Sequence, residues 1–85
     1  MRPAIGDIQA RLHSAFPEAA IEVIDDSHLH AGHAGAQGGA GHFTVNIAWP
    51  GFAGKLPLAR HRLVYDALAD WIPDRIHALS IRATS

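Results

Sequence analysis

The sequence predicts a single domain of the α/β (α+β) class, with the element order α-β-β-α-β, a three-stranded mixed sheet and both helices on one face of that sheet. The length of 85 residues is sufficient for one compact domain but not for two. Two segments show the helical period of apolar residues, and three show strand character. A strand-helix-strand unit closes the chain, which requires its two strands to be parallel. We therefore expect residues 1–85 to form one domain.

The N-terminal segment predicts the first helix, between Pro3 and Phe16. Its apolar residues recur at spacings of three and four, which places them on one face of an amphipathic helix. They are Ile5, Ile8, Leu12 and Phe16. Pro17 ends the helix, because the residue before a proline is disfavoured in the helical region.

Two strands and a long loop follow. Residues 20–25 are a short stretch rich in β-branched side chains, and Phe43, Val45 and Ile47 alternate with polar residues at the strand period. Between the strands, residues 26–41 contain five glycines and no periodicity. A loop of that length in a compact domain is usually functional or disordered.

The second helix and the third strand complete the chain. Pro57 suits the first turn of a helix, and Pro73 closes that helix. The predicted apolar stripe consists of Leu63, Val64, Ala67, Leu68 and Trp71. Residues 76–83 form the last strand, with Leu79 and Ile81 on one face.

Topology predicts where the histidines meet. Strands two and three of a parallel crossover start at the same end of the sheet. His77, at the start of strand three, should therefore lie beside His42 and the glycine-rich loop. That loop carries His28, His30 and His33.

Composition limits the chemistry. The chain has seven histidines and no cysteine, so any metal must be held by imidazole or carboxylate groups. The formal charge of −1 does not predict strong nonspecific attraction to polyphosphates. No apolar run approaches the roughly 20 residues that span a bilayer, and the N-terminus lacks the apolar core of a secretory signal. We expect a cytoplasmic protein that does not associate with membranes.

Spacing alone leaves two interpretations of the histidines open. His28, His30 and His33 match neither the helical H-E-x-x-H pattern nor a zinc-finger spacing. They are either metal ligands or solvated loop residues. His77 shares its strand face with Leu79 and Ile81, so it is either a ligand or a partly buried histidine.

Three blocks of the sequence resemble the BolA family. They are Arg60-His61-Arg62-Leu63-Val64-Tyr65-Asp66-Ala67-Leu68, Ile76-His77-Ala78-Leu79-Ser80-Ile81, and Asp25-Asp26-Ser27-His28-Leu29-His30-Ala31-Gly32-His33 with His42-Phe43 downstream. The resemblance implies a BolA-like fold and a monothiol glutaredoxin as partner, with a 2Fe–2S cluster bridging the two proteins. One iron would take the glutaredoxin cysteine and a glutathione thiol. The ligand histidine of the family, before Ala-Leu, corresponds to His77, and the loop ligand corresponds to His30.

An enzyme is not expected. Ser27 has neighbouring acids but no nucleophile-elbow context, and Asp25-Asp26 is typical of a strand end. We expect a non-catalytic protein whose free chain is a monomer or a weak homodimer.

Nucleic acid is the alternative partner. Lys55, Arg60, His61 and Arg62 lie near the start of the second helix, where the helix dipole also favours anions. The element order resembles a type II KH domain as well, and Gly51-Phe52-Ala53-Gly54 has the G-x-x-G spacing of KH domains. Some members of the BolA family are transcriptional regulators, so DNA is the second hypothesis. The same basic residues could instead bind an acidic glutaredoxin surface or the carboxylates of glutathione. They could also form a solvated first helical turn, with Asp66 as the i,i+4 neighbour of Arg62. The two glycines could simply form a turn.

Overall fold

The computed structural model of the protein describes residues 2–27 and 40–85. The three loop histidines, His28, His30 and His33, lie outside these residues. The helices are α1 (Ile5–Ala15) and α2 (Pro57–Ala67), and the strands are β1 (Ala20–Asp25), β2 (Gly41–Ala48) and β3 (Ile76–Thr84). Short 3-10 turns lie at Pro50–Phe52 and Ala69–Trp71. The predicted element order is confirmed.

The three strands form one mixed sheet in the order β1-β2-β3. β1 pairs with β2 in the antiparallel sense, and β2 pairs with β3 in the parallel sense. A row of residues crosses the sheet, because Val23 opposes Val45, and Val45 opposes Ile81. All three side chains are buried. The predicted parallel pairing of the last two strands is therefore correct.

Both helices pack on the face that carries this row. Ile8 and Leu12 of α1, together with Val64 and Leu68 near the end of α2, are completely buried in the same core as Val45. Burial of side chains of this size contributes about 1.5–3 kcal/mol each relative to exposure. The apolar side of each amphipathic helix thus covers one face of the sheet.

The opposite face of the sheet is polar. The next row across the strands consists of Glu22, Asn46 and Arg82. The side-chain amide of Asn46 donates a 2.9 Å hydrogen bond to the carboxylate of Glu22. Alternation along each strand thus separates an apolar face under the helices from a polar face.

The apolar stripe of α2 is narrower than the sequence predicts. The regular helix ends at Ala67, where the Leu68 amide donates to the Tyr65 carbonyl and a 3-10 turn continues the chain. The buried side is centred on Val64 and Leu68, and Leu63 is rotated by about 100° from Val64 around the helix. Leu63 is therefore 37% exposed, and this member of the predicted apolar stripe lies outside the buried side of the helix.

Trp49 closes the end of the core beyond β2. Its ring packs against Phe16 and Phe52 at centroid distances of 5.1 and 5.2 Å. Its indole N–H donates to the Pro17 carbonyl at 2.9 Å. Phe52 is completely buried. The chain between β2 and α2 is therefore anchored to the end of α1.

Side chains of α2 also cap the outer edge of β3. The Tyr65 hydroxyl lies 3.4 Å from the Leu79 carbonyl oxygen, and Nη1 of Arg60 donates to the Ala83 carbonyl oxygen at 3.2 Å. The Thr84 carbonyl accepts from the Trp49 amide on the β2 side. Because carbonyl directions alternate along a strand, Leu79 and Ala83 present theirs on the side away from β2. Helix α2 is thus attached to β3 by two polar contacts as well as by packing.

No helix within residues 2–27 and 40–85 has the length and apolar character needed to cross a membrane.

Candidate functional site

A pair of histidines marks the end of the sheet where β2 and β3 begin. The rings of His42 and His77 have centroids 5.2 Å apart and planes inclined at 55°. His42 is buried, with 6% of its surface exposed, whereas His77 is exposed. The predicted proximity of these two residues is confirmed, and they differ in solvent access.

A bulge at the start of β3 explains the exposure of His77. Gly41 pairs with Ile76, but the next residue of β2, His42, pairs with Ala78. His77 is therefore an extra residue in β3, and such a bulge changes the side to which nearby side chains point. Ile76 occupies the core and is completely buried. The interpretation of His77 as a partly buried histidine beside Leu79 is wrong for this reason.

Gly41 is closely packed on the strand opposite the bulge. Its amide donates to the Arg75 carbonyl at 2.9 Å. A β-carbon at this position would overlap the Phe43 ring and lie 2.8 Å from Cβ of Arg2. A glycine is required here because two other residues occupy the space of a side chain.

The end of β1 holds the backbone of His42. Its carbonyl accepts a 2.7 Å hydrogen bond from the Asp26 amide, and its own amide donates to Oγ of Ser27 at 3.1 Å. The Ser27 amide in turn donates to Oδ1 of Asp25 at 2.9 Å, a local turn typical of aspartate. Ser27 directly precedes His28 in the sequence. The described residue that directly precedes the loop histidines therefore contacts the backbone of His42.

The acidic groups beside the pair already have partners. Asp25 forms an ion pair with Arg2, with Nε 3.2 Å from Oδ2. Asp26 accepts a 2.5 Å hydrogen bond from the Thr44 hydroxyl. Among the described residues, no group of three or more histidine, aspartate or glutamate side chains is arranged to hold a metal ion. His77 is the described residue that offers an exposed imidazole here.

The basic residues predicted near the start of α2 differ in solvent exposure and in hydrogen bonding. Lys55 and Arg62 are exposed, and His61 is half-buried. Arg60 is half-buried and donates to two backbone carbonyls, that of Lys55 at 2.9 Å and that of Ala83 at 3.2 Å. The guanidinium of Arg60 therefore stabilises the fold, and Lys55 and Arg62 remain the exposed cations of this region.

The G-x-x-G segment has the geometry of a turn. A β-carbon on Gly51 would overlap the Trp49 ring, and Gly54 has a φ of +79°, in the left-handed region. Phe52, between the two glycines, is completely buried. Both glycines thus have a structural reason, and the interpretation of the segment as a turn agrees with the structure.

The basic residues and the histidine pair lie at opposite ends of the sheet. Arg60 contacts Ala83, which follows His77 by six residues along β3. At about 3.3 Å per residue, this separates the two regions by about 20 Å. The structure brings His42 and His77 together but does not add the basic residues to them.

An apolar groove beside the exposed cations is a feature that sequence reasoning missed. It has a volume of about 390 Å³ and lies at the start of α2. Its lining consists of Lys55, Leu56, Leu58, Ala59, Arg62 and Leu63. The signal in the sequence was Leu56 and Leu58, two large apolar residues that do not fit the buried stripe of the helix.

Comparison with protein families and curated proteins gives consistent matches. The model of a family described as BolA-like protein matches residues 12–85. SufE-like protein 1 of Arabidopsis thaliana is 42% identical over 81 residues, which cover 89% of this chain and 22% of the relative. Human BolA-like protein 1 is 40% identical over 81 residues, which cover 94% of this chain and 59% of the relative. The DNA-binding transcriptional regulator BolA of Vibrio cholerae is 39% identical over 74 residues, which cover 87% of this chain and 67% of the relative.

A solved structure has the same fold. The BolA domain of SufE1 from Arabidopsis thaliana aligns with a TM-score of 0.79 and 38% identity, covering 93% of this chain and 87% of that domain. The chain spans about a fifth of the length of the whole Arabidopsis protein and about three-fifths of the human relative. The likeness therefore concerns one domain, which is a part of these longer proteins.

Proposed function

The chain belongs to the BolA-like family, and on that premise we propose that it is a non-catalytic partner of a monothiol glutaredoxin, contributing ligands to a 2Fe–2S cluster that bridges the two proteins. The proposal includes a role in the binding or delivery of the cluster or in the sensing of iron or redox state. It makes the glutaredoxin and glutathione obligatory components, since glutathione would supply a thiol through the partner. Because glutathione is abundant in the reduced cytosol, we propose the cytoplasm as the compartment.

The observation that carries the proposal is the exposed ring of His77 beside His42. A neutral imidazole nitrogen is a suitable ligand for iron, and it must be accessible to an incoming cluster. The bulge at His77 keeps this residue out of the core while its neighbour Ile76 is buried. An exposed side chain at the start of a strand is accessible to an incoming cluster, and the strand holds it in a fixed position.

The donor groups of the chain fit a shared cluster. The chain has no cysteine, so it cannot supply a thiolate. Pairs of histidines replace pairs of cysteines on one iron in Rieske-type clusters, which raises the reduction potential. His77 would supply one imidazole, and His30 is the proposed second ligand, although it lies outside the described residues. Binding would depend on pH because imidazole must lose its proton to bind a metal.

The experiment is a reconstitution with a defined control. The purified chain is mixed with a monothiol glutaredoxin, glutathione, ferrous iron and sulfide, and visible absorbance and circular dichroism are recorded against glutaredoxin alone. We expect a new spectrum at one-to-one stoichiometry. His77→Ala should abolish it, and His13→Ala, which changes an exposed histidine of α1, should retain it. An unchanged spectrum with His77→Ala would refute the ligand assignment.

The loop ligand needs its own comparison. His30→Ala should weaken the new spectrum more than His28→Ala or His33→Ala, because the resemblance to the family singles out position 30. Each variant is compared at equal protein concentration and equal iron occupancy. Equal effects of all three substitutions would remove the reason for choosing His30.

DNA binding is the second candidate function. Its support is that relatives from Vibrio cholerae and Escherichia coli are named DNA-binding transcriptional regulators, and that Lys55 and Arg62 are exposed near a helix start. Arg60 and His61 belong to the same hypothesis, with Arg60 already bonded to carbonyls. Lys55→Ala with Arg62→Ala should weaken duplex binding and flatten its salt dependence. Equal salt slopes for the original chain and the double variant would contradict this function.

A further inference from the structure

We propose that the apolar groove at the start of α2 is a docking site for a segment of another protein that carries aliphatic side chains flanked by acidic residues. The groove, called here the α2 groove, is lined by Lys55, Leu56, Leu58, Ala59, Arg62 and Leu63. This inference goes beyond the proposed cluster function, because the residues that line the groove belong to α2 and the segment before it and include neither histidine of the pair.

The first argument is the exposure of three leucines in one place. Leu56 is 76% exposed, Leu58 is 63% exposed and Leu63 is 37% exposed. Single exposed apolar residues are common on protein surfaces, but a contiguous set with a concave shape is typical of an interaction site. Burial of these leucines by a partner would remove the apolar area from water, which favours association.

The second argument is the charge at the rim. Lys55 and Arg62 line the groove, and neither forms an ion pair with any residue in the described part of the chain. The first turn of α2 contains no acidic residue. Unpaired cations around an apolar groove are complementary to a segment with carboxylates beside its apolar side chains, and such complementarity selects partners and speeds their encounter.

The lining favours a protein segment over single-stranded nucleic acid. Proteins that bind single strands stack the bases on aromatic side chains or arginine planes. The α2 groove has no aromatic residue in its lining, and its apolar surface comes from leucine and alanine. Arg60, the third basic residue of the region, donates to backbone carbonyls. Aliphatic surfaces of this kind suit the anchors of an amphipathic helix or strand.

The same charges argue against a second copy of the chain as occupant. A two-fold contact places the same patch on both subunits. Lys55 and Arg62 of both copies would then lie in one interface, and like charges in an interface are unfavourable. The occupant is therefore a different protein with the opposite charge.

The test uses two synthetic helical peptides of matched length. Both carry leucines at positions i and i+4. One has glutamates on either side of the leucines, and the other has lysines at the same positions. Amide chemical shifts of the ¹⁵N-labelled chain are followed during titration with each peptide. We expect the glutamate peptide to shift the amides of Leu56, Leu58 and Leu63, with at least a tenfold lower Kd than the lysine peptide.

Substitutions distinguish specific docking of the peptide in the groove from nonspecific binding to the protein surface. Leu58→Gln should weaken binding of the glutamate peptide at least fivefold, whereas Ile24→Thr, which changes a 41% exposed residue of β1, should not. Lys55→Glu with Arg62→Glu should reverse the preference so that the lysine peptide binds better. Amide shifts of each free variant verify that it is folded.

Four results would overturn the proposal. The first is equal binding of both peptides, and the second is amide shifts that spread away from the groove. The third is a shift of the groove residues by a DNA duplex with no response to the glutamate peptide. The fourth is concentration-dependent dimerisation that Leu58→Gln abolishes. None of these measurements involves iron or a glutaredoxin, so the outcome is independent of the proposed cluster function.

Discussion

The rings of His42 and His77 lie 5.2 Å apart, yet one is buried within the sheet and the other faces solvent. The two residues come from adjacent parallel strands, and the bulge between them sets the difference in exposure. We expect the buried ring to affect stability and the exposed ring to affect binding.

Substitution of the two histidines should separate these roles. His42→Ala should lower the free energy of unfolding by about 2 kcal/mol, because it removes a buried ring and leaves a cavity. His77→Ala should change it by less than about 0.5 kcal/mol, as for other exposed side chains. Urea denaturation of both variants provides the measurement. A comparable loss for both would show that His77 also contributes to the core.

Two glycine substitutions test the packing at the bulge. Gly41→Ala should destabilise the fold by about 1–3 kcal/mol, because the added carbon overlaps the Phe43 ring and presses on Arg2. Gly6→Ala is the matched control, since no atom beyond its chain neighbours and the backbone of its own helix lies within 4 Å of the added carbon, and alanine favours the helix. We expect it to be neutral or to stabilise by up to about 1 kcal/mol. Thermal unfolding of both variants measures the contrast.

Arg60 and Arg62 should respond differently to removal. Arg60→Ala deletes hydrogen bonds to the Lys55 and Ala83 carbonyls and should cost about 1 kcal/mol or more of stability. Arg62→Ala changes an exposed side chain and should cost less than about 0.5 kcal/mol. The denaturant concentration at the midpoint of unfolding is measured for both variants. Equal midpoints would mean that the carbonyl contacts of Arg60 do not persist in solution.

Ser27 should control the local stability of the histidine edge. Ser27→Ala removes the side-chain acceptor of the His42 amide. Hydrogen exchange of that amide should accelerate, while exchange of the Val45 amide in the middle of β2 should follow the global stability. Native-state exchange by NMR measures both in one sample. An unchanged His42 rate would indicate another acceptor for this amide.

The pKa of Asp70 offers a test of the contact between α1 and the 3-10 turn that follows α2. A hydrogen bond from Arg11 lowers the pKa of this carboxyl below its ordinary value of 3.8, and the positive charges of Arg11 and Arg75 act in the same direction. The resulting stabilisation is present above the ordinary pKa and is lost as the pH falls through the lowered value. Arg11→Gln should raise the Asp70 pKa towards 3.8 in an NMR titration. An unmoved titration curve would exclude the contact in solution.

The arrangement of the sheet followed from the sequence because periodicity and topology are strong constraints. The alternation of Phe43, Val45 and Ile47 identified the buried face of β2. The strand-helix-strand order required parallel pairing, and that pairing brought His42 and His77 together. Each of these inferences rests on a repeat of several residues or on a rule of chain connection.

The parts that could not be predicted depend on single contacts between distant residues. The bulge at His77 is one extra residue whose position is fixed by the register with β2, and a pattern of apolar residues does not contain that register. Arg60 reaches carbonyls that belong to another strand. Leu63 lies just outside the buried arc of α2. The assignment of His30 stays a prediction, because it lies outside the described residues.

The contacts of Tyr65 and Arg60 with the Leu79 and Ala83 carbonyls have a consequence for association between molecules. An edge strand normally offers a template for an incoming strand, and β3 is the longest strand of this sheet. Here two acceptors of that template already receive donors from α2, so a foreign strand would have to displace the helix side chains first. Helix α2 therefore hinders the addition of a further strand to the sheet at the edge of β3.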